Sequence, residues 1–301
     1  MSLPPPSSHP PAGNAGHWLP VLSVMAGIAT FSAMDAAMKG ASLAVGVYTA
    51  LFLRNLLGTL ISIPIWLAAG RPWPRRAVFV VHAQRSAVTA VMAALFFYGL
   101  VRIPLAEGIA ISFIAPIIAL YFAAVMLGER IRPQAILASL LGIAGVLVIG
   151  AGRFGGGDFS PEAVKGTVAI LCSAMFYAVN LVMQRKQALL AGPAEITLFQ
   201  NGIVAALFLV LAPWLMVRPD PASLAMIAAG AVLATAALLF LSWGYARAEA
   251  QVLLPVEYTG FLWAALLGWL FFQETVTLAT LAGAALIVVG CWIGARNNPT
   301  N

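Results

Sequence analysis

Long apolar runs, separated by short polar breaks, dominate the sequence from residue 18 onward. Ten of them approach the roughly 20 apolar residues that a helix needs to cross a bilayer. The pattern therefore predicts an all-α integral membrane protein with ten transmembrane helices. The predicted spans are 18–38, 46–69, 80–101, 105–127, 133–151, 162–184, 194–215, 221–245, 250–272 and 277–295.

Prolines mark several of the predicted helix starts. The first turn of a helix tolerates proline because its backbone N–H has no partner there. Ser160 and Asp220 each precede one of these prolines, and their side chains are good N-caps. The prolines at predicted starts are Pro133, Pro161, Pro193 and Pro221.

The chain matches itself at a shift of 145 residues. Matched Gly, Arg, Glu and aromatic positions are not expected by chance, even in an apolar chain. The pattern predicts two units, 18–152 and 160–296, with five helices each. Because five is odd, the second unit enters the membrane from the opposite side, which gives two inverted repeats with a substrate site between them. Matched pairs include Phe31 with Phe176, Arg102 with Arg247, Glu129 with Glu274, and Gly145 with Gly290.

The composition fits a lipid environment. Of 301 residues, 62% are hydrophobic and 9% are charged, against roughly 25% charged residues in soluble domains. The net charge of +6 does not indicate nucleic acid, because the basic residues stand singly or in pairs between apolar runs, as on loops at a membrane surface. We expect a monomer in a lipid bilayer, with Cys172 and Cys291 as small packing residues.

The sequence also predicts the orientation. Residues 1–17 are rich in Pro, Ser, Gly and His and contain no Lys or Arg, which predicts a disordered cytoplasmic tail rather than a signal peptide. With the N-terminus inside, the cytoplasmic segments hold nine Lys and Arg residues and the external loops five. Cytoplasmic loops carry the excess of positive charge, so we expect both termini in the cytoplasm.

Motifs for catalysis or cofactor binding are absent from the sequence. It has no phosphate-binding G-x-x-x-x-G-K-S/T loop, no H-E-x-x-H and no C-x-x-C. Two of its three histidines, His9 and His17, lie in the predicted tail. We therefore expect no cofactor, no metal and no enzyme activity. Transport would be driven by a gradient of the substrate or of a coupled ion rather than by nucleotide hydrolysis.

Polar residues within the apolar runs are the candidate site, because charge inside the bilayer is costly and usually functional. Asp35 and Asn180 are repeat partners, and Lys39 stands one turn beyond Asp35, at ion-pair spacing. A gate or substrate contact is one interpretation, and a pair that ties the helix end to its loop is the other. Tyr98 and Trp243, also partners, are either membrane anchors or caps at the two ends of a cavity.

Ser112 and Glu257 are repeat partners that lie well inside predicted helices, each followed by an aromatic residue, Phe113 and Tyr258. Nearby prolines, at 116 and 255, could free backbone carbonyls toward a cavity. Glu257 is the carboxylate that we most expect to face water. It either contacts substrate or carries a proton, or it is a buried hydrogen-bonded link between helices.

Two further sets complete the candidates. Arg85 and Thr89 share one face of the third predicted helix, where Arg85 either attracts a carboxylate or extends to the cytoplasmic surface. Phe31 and Tyr177 accompany Asp35 and Asn180 on the faces that would line a cavity, with helix packing as the alternative. Arg54 lies deep in the second predicted helix, and its partners cannot be assigned from the sequence.

The segment 257–269, EYTGFLWAALLGW, with Glu274 after it, resembles the second repeat of the EamA family of the drug/metabolite transporter superfamily. The run 104–129 resembles the first repeat. The resemblance implies a basket of ten helices that carries metabolites, amino acids or drugs across the bacterial inner membrane. Within the family the chain resembles the YddG-type aromatic amino acid exporters, in keeping with aromatic residues on the helices that the resemblance assigns to the cavity.

These observations together predict a secondary-active or facilitative exporter of aromatic and other neutral amino acids, or related metabolites, that works by alternating access. A multidrug, planar-cation or nucleotide-sugar-type carrier of the same fold is the alternative. An integral-membrane enzyme is disfavoured, because it would need clustered acidic or histidine residues at one interface. The predicted partners are a small-molecule substrate and lipid.

Overall fold

The computed structural model describes residues 18–70, 73–115, 160–248 and 259–295, together with shorter stretches at 118–119, 121–122, 137, 140–141, 144–145, 147–148, 151, 253 and 256–257. For residues 287, 291, 294 and 295 only the backbone is described. Several predicted features lie outside this range, including most of the fifth span, Glu129, Pro116, Pro255 and Tyr258.

The regular structure in these ranges is helical, and no strand occurs among the residues described. Ten helices are numbered in chain order. They are α1 Trp18–Val45, α2 Val47–Ala68, α3 Arg76–Leu100, α4 Leu105–Ser112, α5 Pro161–Leu190, α6 Pro193–Leu209, α7 Ala212–Leu215, α8 Pro221–Arg247, α9 Thr259–Phe272 and α10 Leu278–Ala295.

Five of these helices are long and apolar enough to cross a bilayer: α1, α2, α3, α5 and α8. Shorter apolar helices, α6, α9 and most of α10, accompany them. The exposed large side chains along them are mainly Leu, Val, Phe and Trp, which is the surface that lipid requires. The chain is a multi-pass membrane protein.

The predicted helix starts at Pro161, Pro193 and Pro221 are confirmed, since α5, α6 and α8 begin at these residues. The predicted caps also form. Ser160 Oγ accepts the N–H of Ala163 at 3.1 Å, and the Asp220 carboxylate accepts the N–H of Ala222 at 3.2 Å. A further hydrogen bond from Ser223 lowers the pKa of Asp220, because it stabilises the ionised carboxylate.

The first helix differs from its prediction, because α1 continues through Lys39 to Val45. Gly46, with φ of 81°, then supplies the left-handed turn into α2. Lys39 does not end the helix because Glu274 neutralises it: Lys39 Nζ lies 2.5 Å from Glu274 Oε1 and donates to the Ile103 carbonyl at 2.9 Å. The structure thus gives Lys39 a partner in the other half of the chain in place of the predicted Asp35.

The closest helix pairs each combine one helix from the first half with one from the second half. At the 145-residue shift, α1 corresponds to α5 and α3 to α8. Helix α1 packs along α8, and α5 packs along α3. Both pairs are antiparallel, as contacts of Gly27 with Leu241 and of Gly230 with Met38 indicate for the first. Since α1 and α3 run in the same direction, α5 opposes α1. The two repeats are therefore inverted.

Close helix approach occurs at equivalent glycines in the two pairs. A Cβ at Gly99 would lie 2.6 Å from the Gly166 carbonyl oxygen, and one at Gly244 would lie 3.0 Å from the Pro20 carbonyl oxygen. Neither position has room for a side chain, so α3 meets α5, and α8 meets α1, backbone to backbone. These contacts fix the walls of the space between the repeats.

Candidate functional site

A cavity of about 190 Å³ lies between the two repeats. Its wall follows the repeat, because many lining residues come in partners 145 positions apart. The pairs are Ile28 and Ser173, Ser32 and Tyr177, Asp35 and Asn180, Asn55 and Gln200, Thr89 and Ala234, Ala93 and Leu238, Phe96 and Leu241, and Ser112 and Glu257. Two of these eight pairs combine a polar with an apolar residue, and two combine a carboxylate with a neutral residue. The site is therefore asymmetric although the scaffold is not.

Arg85 is the basic group best defined in this wall. It is buried, with 3% of its surface exposed, so it does not extend to the membrane surface. Its Nε donates to Asn180 Oδ1 at 2.8 Å, and its two terminal nitrogens donate to Gln184 Oε1 at 2.7 Å and Gln187 Oε1 at 2.5 Å. All three acceptors are neutral amides on α5.

Buried cations usually have an ionised partner. Among the described residues, no carboxylate forms an ion pair with Arg85. The amide dipoles orient the guanidinium without neutralising it, and three of its five N–H groups are enough for these bonds. Arg85 therefore keeps its positive charge at the cavity wall, where it favours an anionic group.

Glu257 supplies a negative charge to the same cavity. It lies in a single helical turn just before α9 and is 8% exposed. Tyr177 donates its hydroxyl to Glu257 Oε2 at 2.7 Å, and Tyr245 donates to Oε1 at 2.9 Å. Each carboxylate oxygen still has a free lone pair direction. Glu257 thus links helices, as one of the two interpretations from the sequence expects, and it also lines the cavity. Its contact with substrate or a proton stays a prediction.

Asp35 and Arg54 form a second, looser pair of charges in the wall. Both are buried, and Arg54 is the positive charge that acts on Asp35. Arg54 approaches Met34 Sδ at 3.5 Å and Asn55 Oδ1 at 3.3 Å, so its direct contacts are weak. The cavity therefore holds two basic and two acidic side chains, and only Glu257 and Arg85 have strong neutral partners.

Several buried polar atoms in the wall have no hydrogen-bond partner among the residues that the structure describes. They are Arg54 Nε, Gln184 Nε2 and both amide atoms of Gln200. Leaving a buried polar atom unpaired costs about 1–3 kcal/mol, so native proteins rarely do so without a ligand or water to satisfy it. Their concentration here indicates a polar occupant.

The rest of the wall is aromatic and aliphatic. Phe31, Phe96, Phe97 and Phe113 line the cavity beside Tyr177. Aromatic faces bind flat apolar groups and attract cations. The wall of the cavity accordingly combines polar and charged side chains with apolar ones.

Most candidate residues named from the sequence meet in this cavity. The lining includes Phe31, Asp35, Arg85, Thr89, Ser112, Phe113, Tyr177, Asn180 and Glu257. Tyr98 and Trp243 are not among the lining residues. Arg102 stacks on Tyr98 at 3.6 Å from the ring centroid, and Arg247 stacks on Trp243 at 4.0 Å, so each of the two partners has an arginine over its ring. Tyr258 lies outside the described residues.

Some lining residues could not be assigned from the sequence. Gln200 and Asn201 were not singled out, and Tyr245 was not recognised as a partner of Glu257. A signal for Gln200 was present, because it is the repeat partner of Asn55 and both are amides within apolar runs. Tyr245 gave none, since an aromatic residue near a helix end usually indicates an interface.

Two inverted repeats around a buried, charged cavity are the architecture of a membrane transporter. The family comparison agrees with it. The chain belongs to the EamA-like transporter family, whose model matches residues 18–151 and again residues 164–295.

Individual relatives are transporters as well. The chain is 31% identical over 277 residues to the pseudopaline exporter CntI of Pseudomonas aeruginosa, covering 90% of this chain and 93% of that protein. It is 34% identical over 93 residues to the aromatic amino acid exporter YddG of Ancylobacter novellus, covering 31% of this chain and 32% of that one. A riboflavin transporter of Brucella anthropi is 22% identical over 273 residues, with 88% and 94% covered.

A solved crystal structure shares the fold. It superimposes with a TM-score of 0.67 at 24% sequence identity and covers 91% of this chain and 95% of the other. The likeness extends over both repeats, so the two chains share one overall fold.

Proposed function

We propose that this protein exports amino acids, aromatic and other neutral ones, or closely related metabolites, across the bacterial inner membrane. The observation that carries the proposal is the cation of Arg85, which is held by neutral amides in a cavity that also contains Glu257 and Asp35. A zwitterionic amino acid presents a carboxylate and an ammonium group at a short separation, and these charges complement that set.

The polar end of the substrate is the part that the cavity recognises in this proposal. Its carboxylate binds Arg85, and its ammonium group binds Glu257 or Asp35. The unpaired amide atoms of Gln200 and Gln184 supply further hydrogen bonds. The apolar side chain of the substrate lies against Phe31, Phe96 and the neighbouring rings, which suits an aromatic or aliphatic residue.

Alternating access follows from the inverted repeats. The cavity lies where the two halves meet, so a rocking of one half against the other opens it to either side in turn. We expect both termini in the cytoplasm, as the distribution of Lys and Arg predicts. A monomer is sufficient, because one chain supplies the whole cavity wall that is described.

A planar cation or a multi-ring metabolite is the second candidate substrate. The aromatic wall and the two carboxylates favour it, since cations bind well over aromatic faces. Two relatives are named for ring-containing molecules. One is the riboflavin transporter of Brucella anthropi, and the other is an S-adenosylmethionine uptake transporter of Rickettsia prowazekii. The two candidate substrates differ in their need for Arg85, because only the amino acid has a carboxylate for it to bind.

The test is counterflow in proteoliposomes of the purified protein. Vesicles are loaded with one unlabelled solute and given trace labelled solute from a panel of amino acids, nucleosides and planar cations. We expect exchange of neutral and aromatic amino acids. Arg85→Gln should lower kcat/KM by roughly tenfold to a hundredfold, because a hydrogen bond to a charged group contributes about 1.5–3 kcal/mol.

Arg102→Gln is the matched control. Arg102 is partly exposed and does not line the cavity, and its Nε lies 2.8 Å from Glu162 Oε2. It should leave exchange unchanged. Exchange of planar cations alone, insensitive to Arg85→Gln, would support the second candidate. Exchange of no solute in several lipid compositions would end the carrier proposal.

A further inference from the structure

A buried chain of hydrogen bonds leads away from the cavity, beginning at Arg85 and ending at a carboxylate. Gln187 Oε1 accepts from Arg85 at 2.5 Å, Gln187 Nε2 contacts His82 Nδ1 at 2.6 Å, and His82 Nε2 contacts Glu195 Oε1 at 3.0 Å. His82 and Gln187 have no exposed surface, and Glu195 is 8% exposed. Neither His82 nor Glu195 takes part in the proposed substrate site.

Arginine fixes the polarity of this chain, because a guanidinium donates hydrogen bonds and accepts none. The atom of Gln187 that faces Arg85 must therefore be its oxygen, and the atom that faces His82 must be its amide nitrogen. That nitrogen is a donor, so His82 Nδ1 must accept and carries no proton. His82 is then the neutral tautomer that is protonated at Nε2 and donates to Glu195.

Packing holds the imidazole in this orientation. The His82 ring stacks on Phe199 of α6, with centroids 5.1 Å apart and planes 16° apart. The charged groups of the described residues that act on His82 are Glu195 of α6 and Arg85 of α3. Helix α5 presents the neutral amide of Gln187.

We propose that His82 is a proton-binding site whose occupancy is coupled to Arg85 through Gln187. A proton added at Nδ1 turns that atom into a donor that faces the amide nitrogen of Gln187. The amide must turn over or withdraw, and Arg85 then loses one of its three acceptors. Proton binding at His82 and the bond from Arg85 to Gln187 exclude each other.

If the substrate carries a carboxylate, as the proposed function holds, this coupling determines whether the proton raises or lowers its affinity. Protonated His82 adds positive charge near Arg85 and releases one of its N–H groups. Both effects strengthen binding of an anionic group. Proton binding at His82 and carboxylate binding at Arg85 therefore favour each other, and by linkage each raises the affinity for the other. Glu195, in the first turn of α6, faces Nε2, and its carboxylate stabilises the positive charge of the doubly protonated ring.

The direct test uses nitrogen-15 NMR of the full-length protein in nanodiscs, labelled at histidine. The chain has three histidines, and subtraction of the His82→Gln spectrum assigns His82. We expect the pattern of a ring protonated at Nε2 with an unprotonated, hydrogen-bonded Nδ1. Arg85→Lys keeps a side chain that only donates and should preserve this tautomer. Arg85→Gln frees the amide of Gln187 and should give a mixture of tautomers.

A second variant tests the same link from its centre. Gln187→Glu replaces the donor at His82 by a carboxylate oxygen, so His82 should hold its proton to higher pH. Gln84→Glu is the matched control, because Gln84 is exposed on α3, the helix that carries His82, and receives the same change of charge. An Nδ1-protonated tautomer in the parent, or identical His82 spectra in Arg85→Lys and Arg85→Gln, would overturn the proposal.

Counterflow then tests the effect on transport. His82→Gln reproduces the donor and acceptor arrangement of neutral histidine and should fix KM at the value of the parent protein at alkaline pH. The parent KM should fall as the pH is lowered through the range of roughly 8 to 5 in which histidines titrate. A KM that falls with pH in His82→Gln as steeply as in the parent protein would refute the coupling. If no amino acid exchanges while the NMR results hold, the proposed substrate fails and the proton site stands.

Discussion

At the scale of single residues, the cavity is a set of charges that are oriented before any substrate arrives. Arg85 is held by three amides, and Glu257 by two tyrosine hydroxyls. Both arrangements hold the side chain in place without cancelling its charge. Pre-oriented groups lose less entropy on binding than flexible ones, so each can contribute its full interaction to a substrate of opposite charge.

The substitution Glu257→Gln tests the carboxylate. The amide can still accept a hydrogen bond from one tyrosine and donate one to the other, so we expect the fold to remain intact. The loss of charge should lower kcat/KM for an amino acid by at least about tenfold, since a charged hydrogen bond contributes about 1.5–3 kcal/mol, or should change the pH dependence of transport. Counterflow over a range of pH values measures both.

Glu162→Gln is the matched control, because Glu162 forms an exposed pair with Arg102. It should transport as the parent protein does. Transport by Glu257→Gln that is unaltered at every pH would show that the carboxylate only links the helices.

At the scale of elements, helix contacts between the repeats set the dimensions of the site. Helix α3 carries Arg85 and α5 carries its three acceptors, so the bonds form only if the two helices lie close together. Gly99 permits this approach at one end of the pair, and Gly244 permits the same approach between α8 and α1. Between Arg85 and Gly99 on α3, the Met92 carbonyl accepts a further hydrogen bond from Ser173 Oγ of α5 at 2.8 Å.

Gly99→Ala should therefore destabilise the protein. A methyl group at Gly99 would lie 2.6 Å from the Gly166 carbonyl oxygen, and overpacking of this kind costs about 1–3 kcal/mol. We expect a lower unfolding temperature in detergent and a lower yield of folded protein.

The comparison is Gly202→Ala on α6. Its nearest contact would be Thr59 at 3.6 Å, an ordinary van der Waals distance. Alanine should be tolerated there and should gain up to about 1 kcal/mol of helix stability over glycine. Equal unfolding temperatures for the two variants would contradict the role of Gly99.

The element scale also shows why some boundaries were predicted and others were not. The starts at Pro161, Pro193 and Pro221 depend on the chemistry of one helical turn, and the sequence contains all of it. The end of α1 depends on Glu274, 235 residues away from Lys39. A sequence pattern treats Lys39 as the end of an apolar run, whereas the folded chain neutralises it.

At the scale of the whole molecule, the inverted repeat makes equivalent positions face opposite sides of the membrane. The clearest pair is Arg102 on Tyr98 and Arg247 on Trp243, where each arginine stacks on the ring and donates to the carbonyl of the same aromatic residue. The two ends of the bundle thus repeat one local structure with opposite orientation.

This arrangement predicts the labelling of single cysteines. In a background with Cys172 and Cys291 replaced by alanine, a cysteine at position 102 should react with an impermeant maleimide added to intact cells. A cysteine at position 247 should react only after the cells are made permeable. Reaction of both from the same side would contradict the inversion, and the reverse pattern would contradict the predicted cytoplasmic termini alone.

The sequence by itself determined the helices, the duplication and its inversion, because these depend on the length of apolar runs, on helix-start chemistry and on a repeat that is visible in the chain. Only the tertiary structure decided which polar side chains meet. Arg85 reaches acceptors 95 to 102 residues away, and Tyr177 reaches Glu257 across 80 residues. Such bonds depend on ångström-scale contact between helices that are far apart in the chain, which no local pattern specifies.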